Sequence, residues 1–144
     1  MIPLFDKDGD LPPGIHSASW DEFQSRFCVF ARTDQRIRLG ERIEELIAAA
    51  RASGIVERVV FGGSFVTAVE QPNDFDVIVV FRADVDVATL RPYQLDLVDG
   101  DRARRRFRGD IFPARNGASR ASKLLAFFQQ NRLGKPVGVV EVLL

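Results

Sequence analysis

Apolar residues along the chain keep two different rhythms. Between Trp20 and Ala52 they recur at helical spacing. Ser19, followed three residues later by Glu22, forms a capping box and predicts a short helix with Trp20, Phe23, Phe27 and Phe30 on its apolar side. Thr33 and Asp34 can cap a second, longer helix running to about Ala52. Its apolar face carries Leu39, Ile43, Leu46, Ile47 and Ala50, and Gly54 closes it. Beyond Gly54 the period shortens. Val59 to Phe61 reads as a short strand, Ser64 to about Val69 as a short helix, and Gln71-Pro72-Asn73 as a turn. Asp74 to Arg82 is rich in β-branched residues and predicts the central strand. Asp84 to Gln94 fits either a loop or a short helix broken near Pro92, and Leu95 to Arg106 reads as a charged helix. Phe107 to Ala114 predicts a third strand, with Asp110, Phe112 and Ala114 on one face and Ile111 on the other. Ser119 to Arg132 predicts a helix with Leu124, Leu125, Phe127 and Phe128 on its apolar side. Gly134-Lys135-Pro136 then turns the chain into a last strand, Val137 to Leu144.

This order of elements predicts an α/β (α+β) fold: a mixed β-sheet of about four strands packed by helices, with an N-terminal helical segment. Residues 1–18, rich in Pro, Gly and Asp, are expected as an irregular lead-in to a single domain over 19–144. At 144 residues the chain is long enough for one core and too short for two. The 46% apolar and 28% charged content is that of an ordinary globular protein. Twenty basic and twenty acidic residues cancel, so attraction to nucleic acid or an anionic membrane has to be local. The longest purely apolar run, Val77 to Phe81, falls far below the ~20 residues of a membrane helix. The start of the chain lacks a basic region followed by an apolar stretch, and Cys28, the only cysteine, excludes an internal disulfide. A soluble cytoplasmic domain is expected, with Cys28 as a small buried residue.

The chemistry concentrates at two places. Gly62-Gly63-Ser64 follows an apolar strand and opens the expected short helix, whose free N–H groups can hold phosphate. Ser64 either binds phosphate through its hydroxyl or caps that helix, and capping is the expected role. Ten residues after Ser64, Asp74 and Asp76 point the same way while Phe75 and Val77 turn to the opposite face. Two carboxylates beside a phosphate cradle suit a nucleotide-bound divalent metal, Mg2+ or Mn2+. His16 is the only histidine; without a second His or Cys ligand it argues against zinc, and it is expected to order the N-terminal turn. The run Arg102 to Arg108 holds five arginines, read either as phosphate clamps or as a solvated face relieved by Asp96, Asp99 and Asp101. Arg115, Arg120 and Lys123 are further candidates for phosphate contact. Most of the twelve phenylalanines fall on core faces; Phe65, directly after the glycine turn, is the one placed to meet a base.

With nine residues between Gly63-Ser64 and Asp74-Phe75-Asp76, the chain resembles the nucleotidyltransferase fold superfamily, including the apolar residues Phe61 and Val77 that flank the motif. More narrowly, nearly its whole length is similar to a family of small stand-alone bacterial proteins with this fold. The likeness runs through Leu11-Pro12-Pro13-Gly14-Ile15-His16, Trp20-Asp21-Glu22-Phe23, Gly63-Ser64-Phe65-Val66-Thr67, Pro72 to Val77, and Lys135 to Val140. The resemblance implies that Gly62, Gly63 and Ser64 bind the triphosphate of a nucleoside triphosphate and that Asp74 and Asp76 bind magnesium. It also implies a third carboxylate on a neighbouring strand. Asp110, preceded by Gly109 and followed by apolar residues, is favoured over Asp96 as metal ligand or general base. The implied reaction moves a nucleoside monophosphate onto a hydroxyl of a protein side chain, an RNA end or a small molecule. In so short a chain, a partner protein could supply or be the acceptor. The alternatives are a catalytically silent module that binds a nucleotide or a partner protein, and a nucleic-acid binder working through the arginine run.

Overall fold

The structure is a computed structural model and describes residues 1–144. At the front of the chain half of the expected capping box forms: Ser19 caps the helix, while the Glu22 carboxylate accepts from the Ile2 N–H at 2.9 Å instead of the Ser19 N–H. Ser19 Oγ accepts from the Glu22 N–H at 3.1 Å and opens α1, Trp20–Phe23. The chain then runs through a π-helical turn, Gln24–Cys28, and a 3-10 turn, Phe30–Arg32, which carry Phe27 into the core. Thr33 Oγ1 accepts from the Arg36 N–H and opens α2, Asp34–Ser53, which ends at Gly54. Leu39, Ile43, Leu46, Ile47 and Ala50 are all buried along it.

The sheet has five strands, not four: β1 Gly14–Ala18, β2 Val56–Gly62, β3 Asp76–Phe81, β4 Asp110–Arg115 and β5 Gly138–Val142, in the order β1-β5-β2-β3-β4. β1 lies parallel to β5 and β4 parallel to β3, while β2 runs antiparallel to both of its neighbours. The additional strand comes from the segment expected to be irregular. Its partner, β5, lies at the far end of the chain, so only the tertiary pairing of Ile15 with Val139 and His16 with Val140 makes it a strand. His16 Nε2 donates to the Pro12 carbonyl at 2.7 Å and orders the turn that leads in, as expected. β2 starts earlier than its apolar core suggests, because Glu57 and Arg58 interrupt the pattern. Arg58 pairs across strands with Glu141 at 2.6 Å.

Three further helices follow β3: α3 Pro92–Leu95, α4 Gly100–Phe107 and α5 Ser119–Phe128. The main core lies on one face of the sheet, where Val59, Phe61, Val77, Val79, Ile111, Val140 and Val142 meet the buried faces of α1, α2 and α4. Phe23 anchors it, with ring centroids 4.7 Å from Phe61 and 5.1 Å from Phe27. Cys28 is buried there as expected, and burial pushes its thiol up to about 12. The opposite face carries Val60, Ile78, Val80 and Val139 under α5 alone, with Phe112, Leu124, Leu125 and Phe128. At the N-terminal loop, Lys135 Nζ donates to Asp6, Asp8 and Asp10 at 2.8, 3.0 and 3.0 Å. No helix is long and apolar enough to cross a membrane.

The α-helix expected from Ser64 to Val69 does not form. Gly63–Val66 is one 3-10 turn, and Ser64 does not cap it. The turn stops because Thr67 Oγ1 donates to the Ser64 carbonyl at 2.7 Å and because the following carbonyls are drawn inward by a buried arginine described below.

Candidate functional site

Register aligns the chemistry-bearing residues of three strands. Gly62 of β2 pairs with Asp76 at the start of β3, and Asp76 pairs with Asp110 at the start of β4. Parallel strands that begin with aspartate at one register place both side chains on the same face. That face is the one under α5, since Ile78 and Phe112, two residues further along each strand, pack beneath that helix. The Asp110 carboxyl stands close enough to Asp76 to disfavour its charge. Phe75 and Val77 turn the other way into the main core, as expected.

Local packing delivers Asp110 to its place. Gly109 lies against Phe75 so closely that a Cβ there would collide with the ring, and the Asp110 N–H donates to the Phe75 carbonyl at 3.0 Å. Arg108 ends α4 in a left-handed conformation, φ 54°, and Arg42 from α2 donates to its carbonyl at 3.1 Å. The glycine pair works differently from the expected helix N-terminus. Gly63 has φ +68°, and a Cβ there would collide with the Asp76 carboxylate. Gly62 backs onto Phe128, whose ring would stand 2.7 Å from a Cβ. Gly63 makes room for the carboxylate, and Gly62 for the Phe128 ring.

Beneath this turn lies a residue that sequence reasoning missed. Arg36, fully buried, donates five hydrogen bonds to four backbone carbonyls: Phe27 at 2.9 Å, Phe65 at 2.8 Å, Thr67 at 2.8 Å, and Val69 at 3.0 and 2.6 Å. Its guanidinium stacks 4.9 Å from the centre of Phe65 and 5.1 Å from that of Phe30. Burial pushes it down to about 10, so it stays charged at neutral pH with carbonyl dipoles as its hydrogen-bond acceptors. The available sign was its place on the apolar stripe of α2, three residues before Leu39 and seven before Ile43.

Electrostatics follow from crowding. Asp76 is raised to about 6, first by burial, then by the neighbouring Asp110 and Asp74 carboxyls; Arg132 opposes. Asp74 is also raised, mainly by burial. Its Oδ1 accepts from the Phe75 N–H at 2.8 Å, which opposes the rise, as does Arg42, while Asp110 adds to it.

The predicted residues therefore separate. Gly62, Gly63, Asp76 and Asp110 come together; Asp74 stands within electrostatic reach with one oxygen committed to its neighbour's amide. No three His, Cys, Asp or Glu side chains are gathered as a metal-ligand set. The donor chemistry at Asp76 and Asp110 nonetheless fits Mg2+ or Mn2+: hard carboxylate oxygens at one strand register, whose mutual repulsion a cation would neutralise. Asp96, the competitor to Asp110, is bound by Arg102 and Arg106, each at 3.0 Å. Arg104 pairs with Asp101 and lies over Phe112. Those three arginines follow the bland reading of the run. Phe65 is buried in the core and meets no base.

Residues 3–143 match the family described as a family of unknown function (DUF6932), and the chain belongs to that family. No curated protein and no solved structure matches it.

Proposed function

We propose that this member of the family is a metal-dependent nucleotidyltransferase, moving a nucleoside monophosphate from a nucleoside triphosphate to a hydroxyl acceptor. The observation that carries the reading is the row Gly62–Asp76–Asp110 across β2, β3 and β4, with Gly63 opening space under the Asp76 carboxylate. Magnesium or manganese, when bound, supplies charge neutralisation on the attacking and departing oxygens. Asp76 and Asp110 would hold it, and Asp74 would join by turning away from the Phe75 amide. The chain's own groups do the positioning. Asp110 is the more exposed carboxylate and takes the proton of the incoming hydroxyl. The hydroxyl oxygen bonds to the α-phosphorus as the bond to the bridging oxygen breaks, and pyrophosphate leaves. Arg132 and Arg42, the cations that oppose the rise of Asp76 and Asp74, would be the groups to meet the phosphates.

The test is incubation with each α-labelled nucleoside triphosphate and Mg2+ or Mn2+, followed by a search for label on protein, RNA and small hydroxyl compounds. Label should appear with wild type and vanish in the Asp76→Asn plus Asp110→Asn variant; equal labelling by that variant would refute the assignment. A second reading, a silent module that binds a nucleotide or a partner protein, is favoured by the committed Asp74 oxygen. It predicts nucleotide or protein binding with no transferred label.

A further inference from the structure

Charge is distributed unevenly in a chain whose totals cancel. From Ile111 to Val140 there is no acidic residue, while Arg115, Arg120, Lys123, Arg132 and Lys135 are basic. Elsewhere cations and acids interleave, as along α2 with Asp34, Glu41, Glu44 and Glu45. α5 lies in the middle of this stretch. Arg120, Lys123 and Phe127 share one helical stripe and face solvent, and Phe127 is 76% exposed. An open hollow of about 340 Å³ sits at the head of the stripe, lined by Ser119, Arg120, Lys123 and Leu124. Arg120 keeps one contact to the protein, from Nε to the Pro113 carbonyl at 3.1 Å, and neither it nor Lys123 has a carboxylate partner. At its other end the stripe reaches the site. Phe128, the last residue of α5, packs on Gly62, and Arg132 follows four residues further along the chain.

We propose that this face of α5 docks single-stranded RNA and leads its 3′ end to Asp110, an inference that rests on the transferase reading for the use of that end. The cations match a phosphate backbone along the ~15 Å of a ten-residue helix. The exposed Phe127 ring gives a base a surface to stack on, which an acidic peptide would not require. Three of the five arginines in the run at α4, Arg102, Arg104 and Arg106, are already paired with Asp96 and Asp101, whereas the cations of α5 have no carboxylate partner and share their stripe with an exposed aromatic ring.

The test is fluorescence anisotropy of an end-labelled, unstructured 12-nucleotide RNA between 50 and 200 mM salt, with no nucleotide or divalent metal present. Three phosphate contacts to Arg120, Lys123 and Arg132 predict that affinity falls about 20-fold over that range. In Arg120→Gln plus Lys123→Gln the fall should shrink to about threefold. Phe127→Ala should weaken binding at least about fivefold. Arg105→Gln, an exposed arginine on α4, should change nothing. Circular dichroism checks that each surface variant keeps its fold. No binding at 50 mM salt, an unchanged salt dependence in the double variant, or equally tight binding of polyglutamate would overturn the proposal. Label transfer without RNA binding would sink this inference and leave the transferase reading standing, and RNA binding without transfer would do the reverse.

Discussion

Arg36→Met is the substitution with the largest expected structural effect. It keeps an apolar stem of similar length and removes the donors to the Phe27, Phe65, Thr67 and Val69 carbonyls. The buried Phe27 and Phe65 carbonyls cost ~1–3 kcal/mol each when left without a partner, and the part-buried Thr67 and Val69 carbonyls cost less, so the four together give ~3–8 kcal/mol. Relief from holding a buried cation returns part of that. The net loss expected is ~3 kcal/mol, equivalent to a melting-point fall of about 6–12 °C in a chain of this size. Lysine at the same position supplies three donors from one nitrogen and cannot span four carbonyls, so Arg36→Lys should lose ~2 kcal/mol. Urea unfolding followed by circular dichroism reads both, with hydrogen exchange at residues 65–69 showing whether the loop opens first. A loss below ~1 kcal/mol for Arg36→Met, with exchange at 65–69 unchanged, would mean that something other than Arg36 holds the turn under the acidic pair.

Other outcomes follow from the same geometry. Gly63→Ala forces a Cβ into the Asp76 carboxylate at a left-handed φ, so it should cost ~2 kcal/mol in thermal unfolding and abolish nucleotide binding. Asp76 is raised from 3.8 to about 6, so its favourable contribution to stability is complete below about 4 and is lost as pH rises through about 6. The shift corresponds to at most ~3 kcal/mol, and solvent screening of this partly exposed group leaves ~1–2 kcal/mol. Asp76→Asn should therefore flatten the stability profile between pH 4 and 6 and be more stable than wild type at pH 7; an unchanged profile would contradict the crowding described. Lys135→Met should leave Asp6, Asp8 and Asp10 without their shared cation. Amide exchange across residues 6–10 should then speed up while the sheet stays protected.

Much of the fold was legible where local rules decide structure. Ser19, Thr33 and Gly54 set helix boundaries within one turn, and the β-branched run from Val77 to Val80 announced β3, although the central strand of the sheet is β2. β1 was hidden because its order comes from β5, more than a hundred residues away, while Pro12, Pro13 and Gly14 disguise its approach. The helix expected after Gly63 was lost to a tertiary competitor: Arg36 takes the carbonyls of Phe65, Thr67 and Val69. At the site, the spacing of the glycine pair and the aspartates pointed to the right turn and strand, and Gly109 before Asp110 marked the entry of β4. The role of Gly63 as clearance for Asp76 needed the register between strands, and so did the separation of Asp96 from the site.

Calorimetric titration with a non-hydrolysable nucleoside triphosphate and Mg2+ tests the central claim most directly. The account predicts saturable heat with at least one of the four nucleotides, lost in Asp76→Asn plus Asp110→Asn and retained in Asp96→Asn. No heat with any nucleotide, or the same heat from the double variant, would contradict it.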